Sequence, residues 1–231
     1  MKNICVKIKD DFVTVDRKRQ KGQNTGQMVK ALTKQIFTLE EYFELERTSE
    51  EKWEFWDGHV WCMSGASFVH EDIVSNTIFS LRSRLPKGCR VSGSNLKVMV
   101  PEYRPYRYPD MTVVCGERTE EIVGGLQVLT NPQMIIEVLS PSTEAFDRGD
   151  KFTYYKSIPS LTDYVLISTT RPSVMRFRKH SESEWSHTEA QGMGASIVVD
   201  TFGIELVLSE IYLDIEFPEP VYRSPEEERF L

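Results

Sequence analysis

One short segment constrains the fold of this chain more than any other, the run Met134–Leu139 with the sequence MIIEVL. Five of its six residues are large and apolar, which is typical of a strand buried on both faces. The remaining residue, Glu137, is a carboxylic acid that is costly to bury unless it is paired or binds a metal ion. The segment therefore predicts a central strand that carries an ion-paired or metal-binding acid.

A second acid stands at the start of another apolar strand. Asp110 follows Pro109 and precedes the β-rich run Met111–Cys115, so its side chain can point into a cleft at the strand end. Two carboxylates on neighbouring strands can share a divalent cation, because Mg²⁺ accepts oxygen ligands and keeps several waters. Taken singly, each acid is equally compatible with a strand-end cap or a buried salt bridge. The pair favours a site for Mg²⁺ or Mn²⁺.

The other patterns indicate an α/β (α+β) domain in which strands outnumber helices. Thr38 and Glu41 form a capping box that predicts the start of a helix, and Asp57-Gly58 between aromatic runs predicts a hairpin turn. Apolar residues recur at helical spacing over residues 67–85. The helical stretch Phe146–Ile158 predicts a strand–helix–strand crossover beside a mainly antiparallel sheet. The predicted later strands are Leu96–Val100, Met111–Cys115, Met134–Leu139, Tyr164–Ile167, Val174–Arg178 and Ile197–Val199.

The predicted domain boundaries follow from where these patterns begin and end. A chain of 231 residues suits one folded unit with an extension. Residues 1–36 are basic and lack an apolar period, which predicts a mobile, irregular extension, with a DNA-binding arm as the alternative. Residues 37–215 form the predicted domain, and residues 216–231 form an acidic tail.

Composition argues against several classes of protein. The four cysteines stand far apart without a CxxC pair, which excludes the usual zinc spacings and predicts reduced thiols in a cytoplasmic protein. No stretch approaches the ~20 apolar residues needed to cross a bilayer, so no membrane partner is expected. The net charge of −7 argues against a protein that coats nucleic acid non-specifically.

The distribution of charge nevertheless leaves room for a nucleic-acid substrate. Residues 82–108 contain seven basic residues and one acidic residue. Three tyrosines alternate with Arg104 and Arg107 in the last part of this segment, which runs directly into Asp110. Such a segment can guide a DNA backbone towards a metal site. A solvated basic loop is equally compatible with the sequence.

Together these motifs resemble a known family. Tyr108-Pro109-Asp110 before an apolar strand, the run Glu137–Thr143, and Asp147 and Lys151 on a following helix are similar to the Uma family of endonucleases. This family belongs to the PD-(D/E)XK superfamily, which shares the restriction-endonuclease fold. The segment Trp53–Gly58 matches the family's aromatic-Glu-apolar-apolar-Asp-Gly pattern. The resemblance covers roughly residues 37–215 and implies a mixed, mainly antiparallel sheet flanked by helices.

The resemblance also implies roles for individual residues. Asp110 and Glu137 would bind Mg²⁺ or Mn²⁺, and Glu54 would be a third acid that binds the metal directly or through water. The superfamily's lysine normally follows the acid by two positions, but this chain has Leu139 there. In the Uma-like pattern the amine comes from the following helix, where Lys151 matches.

The catalytic role implied for Lys151 is to orient or deprotonate the attacking water. Asp147, one turn earlier, would share its helix face. A surface lysine paired with Asp147 is the alternative without the resemblance, and Lys156 is a weaker candidate for the amine. His70 matches a histidine that the family carries early in the helix after the Trp53–Gly58 segment. We expect His70 to support the site rather than to bind metal.

Two classes of function follow. The first is a Mg²⁺-dependent endodeoxyribonuclease, a hydrolase of DNA phosphodiester bonds that uses Asp110, Glu137, Lys151 and Glu54. The second is a nuclease-fold binding or assembly module that has lost turnover, although the presence of all four residues argues against it. Hydrolysis of a smaller phosphoester would require a closed pocket. DNA is the expected partner, and a homodimer is left open.

Overall fold

The computed structural model describes residues 3–8, 11–16, 36–63, 65–102 and 106–217. Its helices are α1 (Leu39–Thr48), α2 (Phe68–Arg84), α3 (Glu144–Arg148), α4 (Asp150–Tyr155) and α5 (Leu208–Ile211). Its strands are β1 (Asn3–Ile8), β2 (Asp11–Asp16), β3 (Trp53–Trp56), β4 (His59–Cys62), β5 (Cys89–Gly93), β6 (Lys97–Met99), β7 (Tyr106–Arg107), β8 (Met111–Cys115), β9 (Glu120–Val123), β10 (Leu126–Leu129), β11 (Met134–Leu139), β12 (Asp163–Ser168), β13 (Ser173–Lys179), β14 (Trp185–Gln191), β15 (Ser196–Val199) and β16 (Ile204–Val207).

The main sheet has six strands in the order β14-β13-β12-β11-β8-β5. Its neighbours are antiparallel except β11 and β12, which run parallel. The chain passes from β11 to β12 through α3 and α4, which confirms the predicted crossover. The central strands β11 and β12 are buried at every position, as expected for strands covered on both faces.

Strand alternation divides the residues of β11 between two cores. Its even-numbered residues pack with α2 in one apolar cluster. Ile135 and Leu139 pack in another cluster with Phe152 of α4. Since successive side chains of a strand point to opposite faces, Glu137 belongs to the face that meets α4. The buried acid therefore faces the helix that follows its own strand.

The second sheet also has six strands, in the order β4-β3-β7-β6-β10-β9. Helix α1 covers it, and the Tyr42 ring lies 5.2 Å from the Phe55 ring and 5.8 Å from the Tyr106 ring. The predicted capping box at the start of α1 is confirmed by both of its hydrogen bonds. The predicted hairpin is also confirmed, because β3 and β4 pair antiparallel across Asp57 and Gly58, which both have positive φ.

The fold class predicted from the sequence is confirmed, with mainly antiparallel sheets flanked by helices. Strands β8 and β11 match their predicted runs residue for residue. Several strands were not predicted, because they are very short or carry alternating polar residues on exposed edges. They are β5, β7, β9, β10, β14 and β16. Within the described residues, no helix is long and apolar enough to cross a membrane.

The helical stretch predicted over Phe146–Ile158 is wrong as a single helix. The structure has the two short helices α3 and α4, which meet at Gly149 with φ −108° and ψ −98°. The ψ of Gly149 lies outside the helical region, so the helical hydrogen-bond pattern is interrupted there. Both helices still lie against the main sheet, so the break changes the local geometry and leaves the crossover in place.

The expectation for the first 36 residues was partly wrong. An irregular extension was predicted, but β1 and β2 pair antiparallel over Asn3–Asp16. Alternation of apolar residues within these short strands is a weak signal in a basic segment, so it did not predict the two strands. Residues 17–35 lie outside the described part of the chain, as do residues 218–231, which make up most of the predicted acidic tail.

The expectation of reduced cysteines is wrong for one pair. Cys89 of β5 and Cys115 of β8 are register partners on adjacent antiparallel strands, and they form a disulfide. They are 26 positions apart in the chain, so their spacing carries no motif. Only the pairing of β5 with β8 brings the two thiols together. Cys62 is buried in the core of the second sheet.

Candidate active site

The two acids predicted to form the site lie at the junction of adjacent strands. Asp110 immediately precedes β8, and Glu137 lies in β11. The Val138 backbone N–H donates to Asp110 Oδ2 at 2.7 Å, and the Asp110 backbone N–H lies 3.4 Å from Glu137 Oε2. The structure therefore places the two acids on neighbouring strands, with each carboxylate close to a backbone N–H beside the other acid.

Glu137 is held by two donors from α4. Its Oε1 accepts from the Tyr155 hydroxyl at 3.0 Å and pairs with Lys151 Nζ at 2.8 Å. Burial raises the pKa of Glu137, Lys151 opposes this effect, and the nearby carboxylates of Asp110 and Asp147 add to it, so that the pKa stands at about 8. The Glu137 carboxyl group therefore holds its proton more tightly than an exposed glutamate does.

Lys151 reaches the site from α4 and contacts two acids. In addition to its contact with Glu137, Lys151 Nζ lies 3.2 Å from Asp147 Oδ1, across the break between α3 and α4. Burial alone would lower the pKa of Lys151, but the Glu137 and Asp147 carboxylates raise it well above the usual range. Leu139, which the resemblance aligned with the usual lysine position, packs in the apolar core. Lys156, the weaker candidate, lies with its Nζ over the Phe152 ring at 5.0 Å.

Glu54 is buried near this group, but its hydrogen bonds go elsewhere. Its Oε2 accepts from Arg107 Nη1 at 2.6 Å, and its Oε1 accepts from the Tyr108 backbone N–H at 2.9 Å. Burial raises the pKa of Glu54, but the positive charges of Arg107 and Lys151 outweigh that effect and lower it. Glu54 is therefore an ionised carboxylate whose two oxygens both have partners within the protein.

His70 lies beside the first acid, at the start of α2. Ser67 caps this helix by accepting from the His70 backbone N–H. His70 Nε2 is 3.2 Å from Asp110 Oδ2. Burial lowers the pKa of His70, but the hydrogen bond and charge of Asp110 outweigh it and raise the pKa. This contact is the arrangement expected of a side chain that supports Asp110.

Two residues that contact the predicted site, Tyr155 and Arg107, were not predicted to do so from the sequence. Tyr155 lies four positions after Lys151, so helical spacing could have placed its hydroxyl on the same face. The Arg107–Glu54 pair had no such signal, because its members are 53 positions apart. Among the described residues, no cluster of three or more His, Cys, Asp and Glu side chains is arranged to hold a metal ion.

The basic segment before Asp110 does not form the predicted surface along its whole length. Lys97 is buried and pairs with Glu46 at 2.7 Å, and Arg107 is buried with Glu54. Arg84 pairs with Glu210 on α5. Arg104 and Tyr103 lie outside the described residues, and the basic residues that remain exposed are Arg82, Lys87 and Arg90. Much of the positive charge counted in the sequence is therefore neutralised internally.

The fold of this chain is similar to that of a solved structure. A crystal structure from Anabaena variabilis, described as "a putative nuclease belonging to DUF820", superposes with a TM-score of 0.61 at 19% identity. The match covers 76% of this chain and 97% of that one.

The family is shown by sequence. Residues 39–211 match the Uma2 family, described as "Putative restriction endonuclease", and the chain belongs to this family. Two uncharacterised proteins of Synechocystis sp. are each 34% identical to the chain. One alignment covers 70% of this chain and 88% of the relative, and the other covers 74% and 96%.

Proposed function

We propose that the chain is a divalent-cation-dependent endonuclease that hydrolyses phosphodiester bonds of DNA. The observation that carries this proposal is that Asp110, from the start of β8, and Lys151, from α4, both lie beside Glu137 of β11. Membership of the Uma2 family supports the nuclease class. Asp110, Glu137 and Lys151 are the proposed catalytic residues, and Glu54 is proposed to act with them.

The donor chemistry of the site fits Mg²⁺ or Mn²⁺. Carboxylate oxygens are the ligands these hard cations prefer, and Mg²⁺ usually keeps several waters and needs few protein ligands. The raised pKa of Glu137 reflects burial near two further carboxylates, so additional positive charge would stabilise its ionised form. We assign Asp110 and Glu137 as the residues that would hold the cation. When bound, such a cation polarises the phosphate and acidifies a bound water.

The proposed role of Glu54 is electrostatic. Both of its oxygens accept hydrogen bonds from Arg107 and Tyr108, so direct ligation would require one of these bonds to break. Glu54 is close enough to Lys151 to contribute to the raised pKa of its ammonium group. We therefore place Glu54 beside the reacting groups as a fixed negative charge that helps to keep Lys151 protonated.

The state of Lys151 favours one of its two implied roles. With its pKa well above the usual range, the amine keeps its proton at neutral pH. A protonated amine cannot accept a proton from water, but it can donate hydrogen bonds to the attacking water or to a phosphate oxygen. Lys151 therefore orients the nucleophile and offsets the charge that develops on the phosphate.

The proposal predicts that metal binding and turnover separate between variants. Asp110→Asn and Glu137→Gln each remove an anionic oxygen, so metal affinity and cutting should both fall. Lys151→Ala should keep the metal or bind it slightly more tightly, because a nearby positive charge is lost, while cutting falls about 100-fold or more. Lys156→Ala is the matched control and should cut at the wild-type rate, because its amine lies over Phe152.

Calorimetric titration of Mg²⁺ and Mn²⁺ into each variant, beside cleavage of single- and double-stranded DNA at matched salt, tests the proposal. A wild-type protein that binds metal and DNA but leaves every substrate intact would be an inactive nuclease-fold module. A wild-type protein that binds neither cation would overturn the assignment of Asp110 and Glu137 as ligands.

A further inference from the structure

Arg107 is a buried cation whose hydrogen-bonding capacity is only partly used. The residue is 2% exposed and lies on β7. Its Nη1 donates to Glu54 Oε2 at 2.6 Å. Its Nε and Nη2 are buried and have no hydrogen-bond partner among the described residues. Buried donors are nearly always paired, and charged donors without acceptors are costly, so these two N–H groups require an explanation.

Aromatic rings surround the guanidinium but supply no acceptor oxygen. Its central carbon lies 5.3 Å from the Trp61 ring, 5.3 Å from the Phe146 ring and 5.9 Å from the Trp56 ring. Ring faces attract the positive charge without satisfying the in-plane N–H groups. Phe146 is 37% exposed, so part of this cover lies at the surface and can move without opening an apolar core.

Arg107 is also close to the proposed site. It stands three positions before Asp110, and three extended residues span at most roughly 11 Å. Its partner Glu54 acts on the charge of Lys151, and its neighbour Phe146 precedes Asp147, which contacts Lys151. A DNA backbone that reached Asp110 and Glu137 would therefore pass near the guanidinium.

We infer that Arg107 binds a phosphate of the DNA substrate through Nε and Nη2, while Nη1 stays with Glu54 and the Phe146 ring moves aside. Nε–H and one N–H of Nη2 lie side by side on one edge of a guanidinium, and this fork matches two phosphate oxygens. Glu54 holds the opposite edge, so the fork is oriented before substrate arrives. The inference rests on the proposed nuclease function and names a substrate-binding residue beside its reacting groups.

The competing role for Arg107 is purely structural, as the counter-ion of Glu54. Arg107→Lys distinguishes the two roles, because lysine keeps one positive charge beside Glu54 but loses the planar fork. Arg90→Lys is the matched control, since Arg90 is exposed on β5 and makes one long contact, at 3.4 Å, to the Gly116 carbonyl. Thermal melting and Mg²⁺ titration establish that each variant folds and binds metal.

The first measurement is the rate of DNA cleavage. We expect Arg107→Lys to lower kcat/KM by about 10- to 100-fold, the loss typical of one charge-assisted contact, and Arg90→Lys to leave it unchanged. Equal values for the two variants would overturn the inference and leave the nuclease proposal standing.

The second measurement identifies the phosphate and reports a contact that a structural role would not produce. Duplexes carrying one uncharged methylphosphonate at each position in turn are bound to the wild-type protein and to Arg107→Lys in metal-free buffer. At one position we expect the methylphosphonate to lower the DNA affinity of the wild-type protein by about the same factor as Arg107→Lys does. At that position the methylphosphonate should lower the affinity of Arg107→Lys little further. Equal losses for both proteins at every position would overturn the inference.

A further pair of variants covers the case in which Arg107→Lys does not fold. Glu54→Gln with Arg107→Gln removes both charges, so neither is left buried alone. At the position identified above, the methylphosphonate should lower the DNA affinity of Glu54→Gln. It should leave the DNA affinity of the double variant nearly unchanged. A wild-type protein that shows this effect but never cuts DNA would refute the nuclease proposal alone. A wild-type protein that binds no DNA would overturn both.

Discussion

Glu137 is the residue on which the proposed site most depends, because its environment disfavours its charged form. It sits in a fully buried strand and approaches Asp110, which the Val138 N–H holds in place. Lys151 offsets part of this unfavourable charge, yet the pKa of Glu137 remains raised to about 8. A buried acid with a strongly shifted pKa is typical of functional sites.

The raised pKa of Glu137 predicts how stability depends on pH in the metal-free protein. Between its ordinary pKa of 4.5 and about 8, the folded protein keeps a proton on Glu137 that the unfolded chain has released. This contribution to stability is fully present below pH 4.5 and is lost as pH rises through 8. The wild-type melting temperature in EDTA should therefore fall from pH 6 to pH 8.5, and Glu137→Gln should show a flatter profile.

His70 acts in the same direction, because Asp110 raises its pKa against the effect of burial. Comparison of wild type with Glu137→Gln isolates the contribution of Glu137. Mg²⁺ at pH 8.5 should restore part of the lost stability in the wild type, because it binds the ionised acid. Parallel profiles for the two proteins would show that another group titrates.

At the scale of elements, the contact between α1 and the β9–β10 hairpin provides a sharp test of packing. Gly124 has φ +58°, and a Cβ atom there would overlap the Phe43 ring of α1. Its neighbour Gly125 has φ +84° but faces open space. Both positions require a positive φ, but only a side chain at Gly124 would meet a neighbouring side chain.

Gly125→Ala should therefore cost about 1–2 kcal/mol, the expense of a side chain at positive φ. Gly124→Ala should cost about 1–3 kcal/mol more, because Phe43 must also move in a packed cluster. Denaturant unfolding of both variants measures the difference. Equal losses would mean that α1 does not press against this turn.

At the scale of the whole molecule, the site is assembled from both sheets. Glu137 belongs to the main sheet and Asp110 directly precedes its strand β8, whereas Glu54 and Arg107 belong to the second sheet. The short link Tyr108–Asp110 connects them, since the Tyr108 N–H donates to Glu54 and Asp110 begins the path into β8. The relative position of the two sheets therefore controls the electrostatics around Lys151.

We predict that the domain beginning near residue 37 folds without the preceding extension. The Phe37 backbone N–H donates to the Gly58 carbonyl at 2.6 Å, and the Ile36 side chain approaches Gly58, so a chain that begins at Gln35 keeps both contacts. Its melting should remain cooperative, within a few degrees of the full chain. Loss of the transition would show that the first 34 residues belong to the folded core.

The sequence by itself determined the features that depend on local pattern. The apolar runs around Asp110 and Glu137 predicted two adjacent buried strands, and the Thr38 box predicted the start of α1. The resemblance to the Uma family is now supported by the family match. It predicted that Lys151 supplies the amine of the site, because the usual lysine position holds Leu139. Such signals can be read from the sequence because the alternation of a strand and the cap of a helix involve residues close together in the chain.

Only the tertiary structure decided which distant groups share an environment. It paired Arg107 with Glu54 across 53 positions, joined Cys89 to Cys115, and buried Lys97 against Glu46. The same packing removed much of the positive charge counted in the basic segment. No spacing rule predicts these contacts, because they depend on strand order and on how the two sheets and their helices pack. Burial and the neighbouring charges that this packing brings together then shift the pKa of each ionisable group.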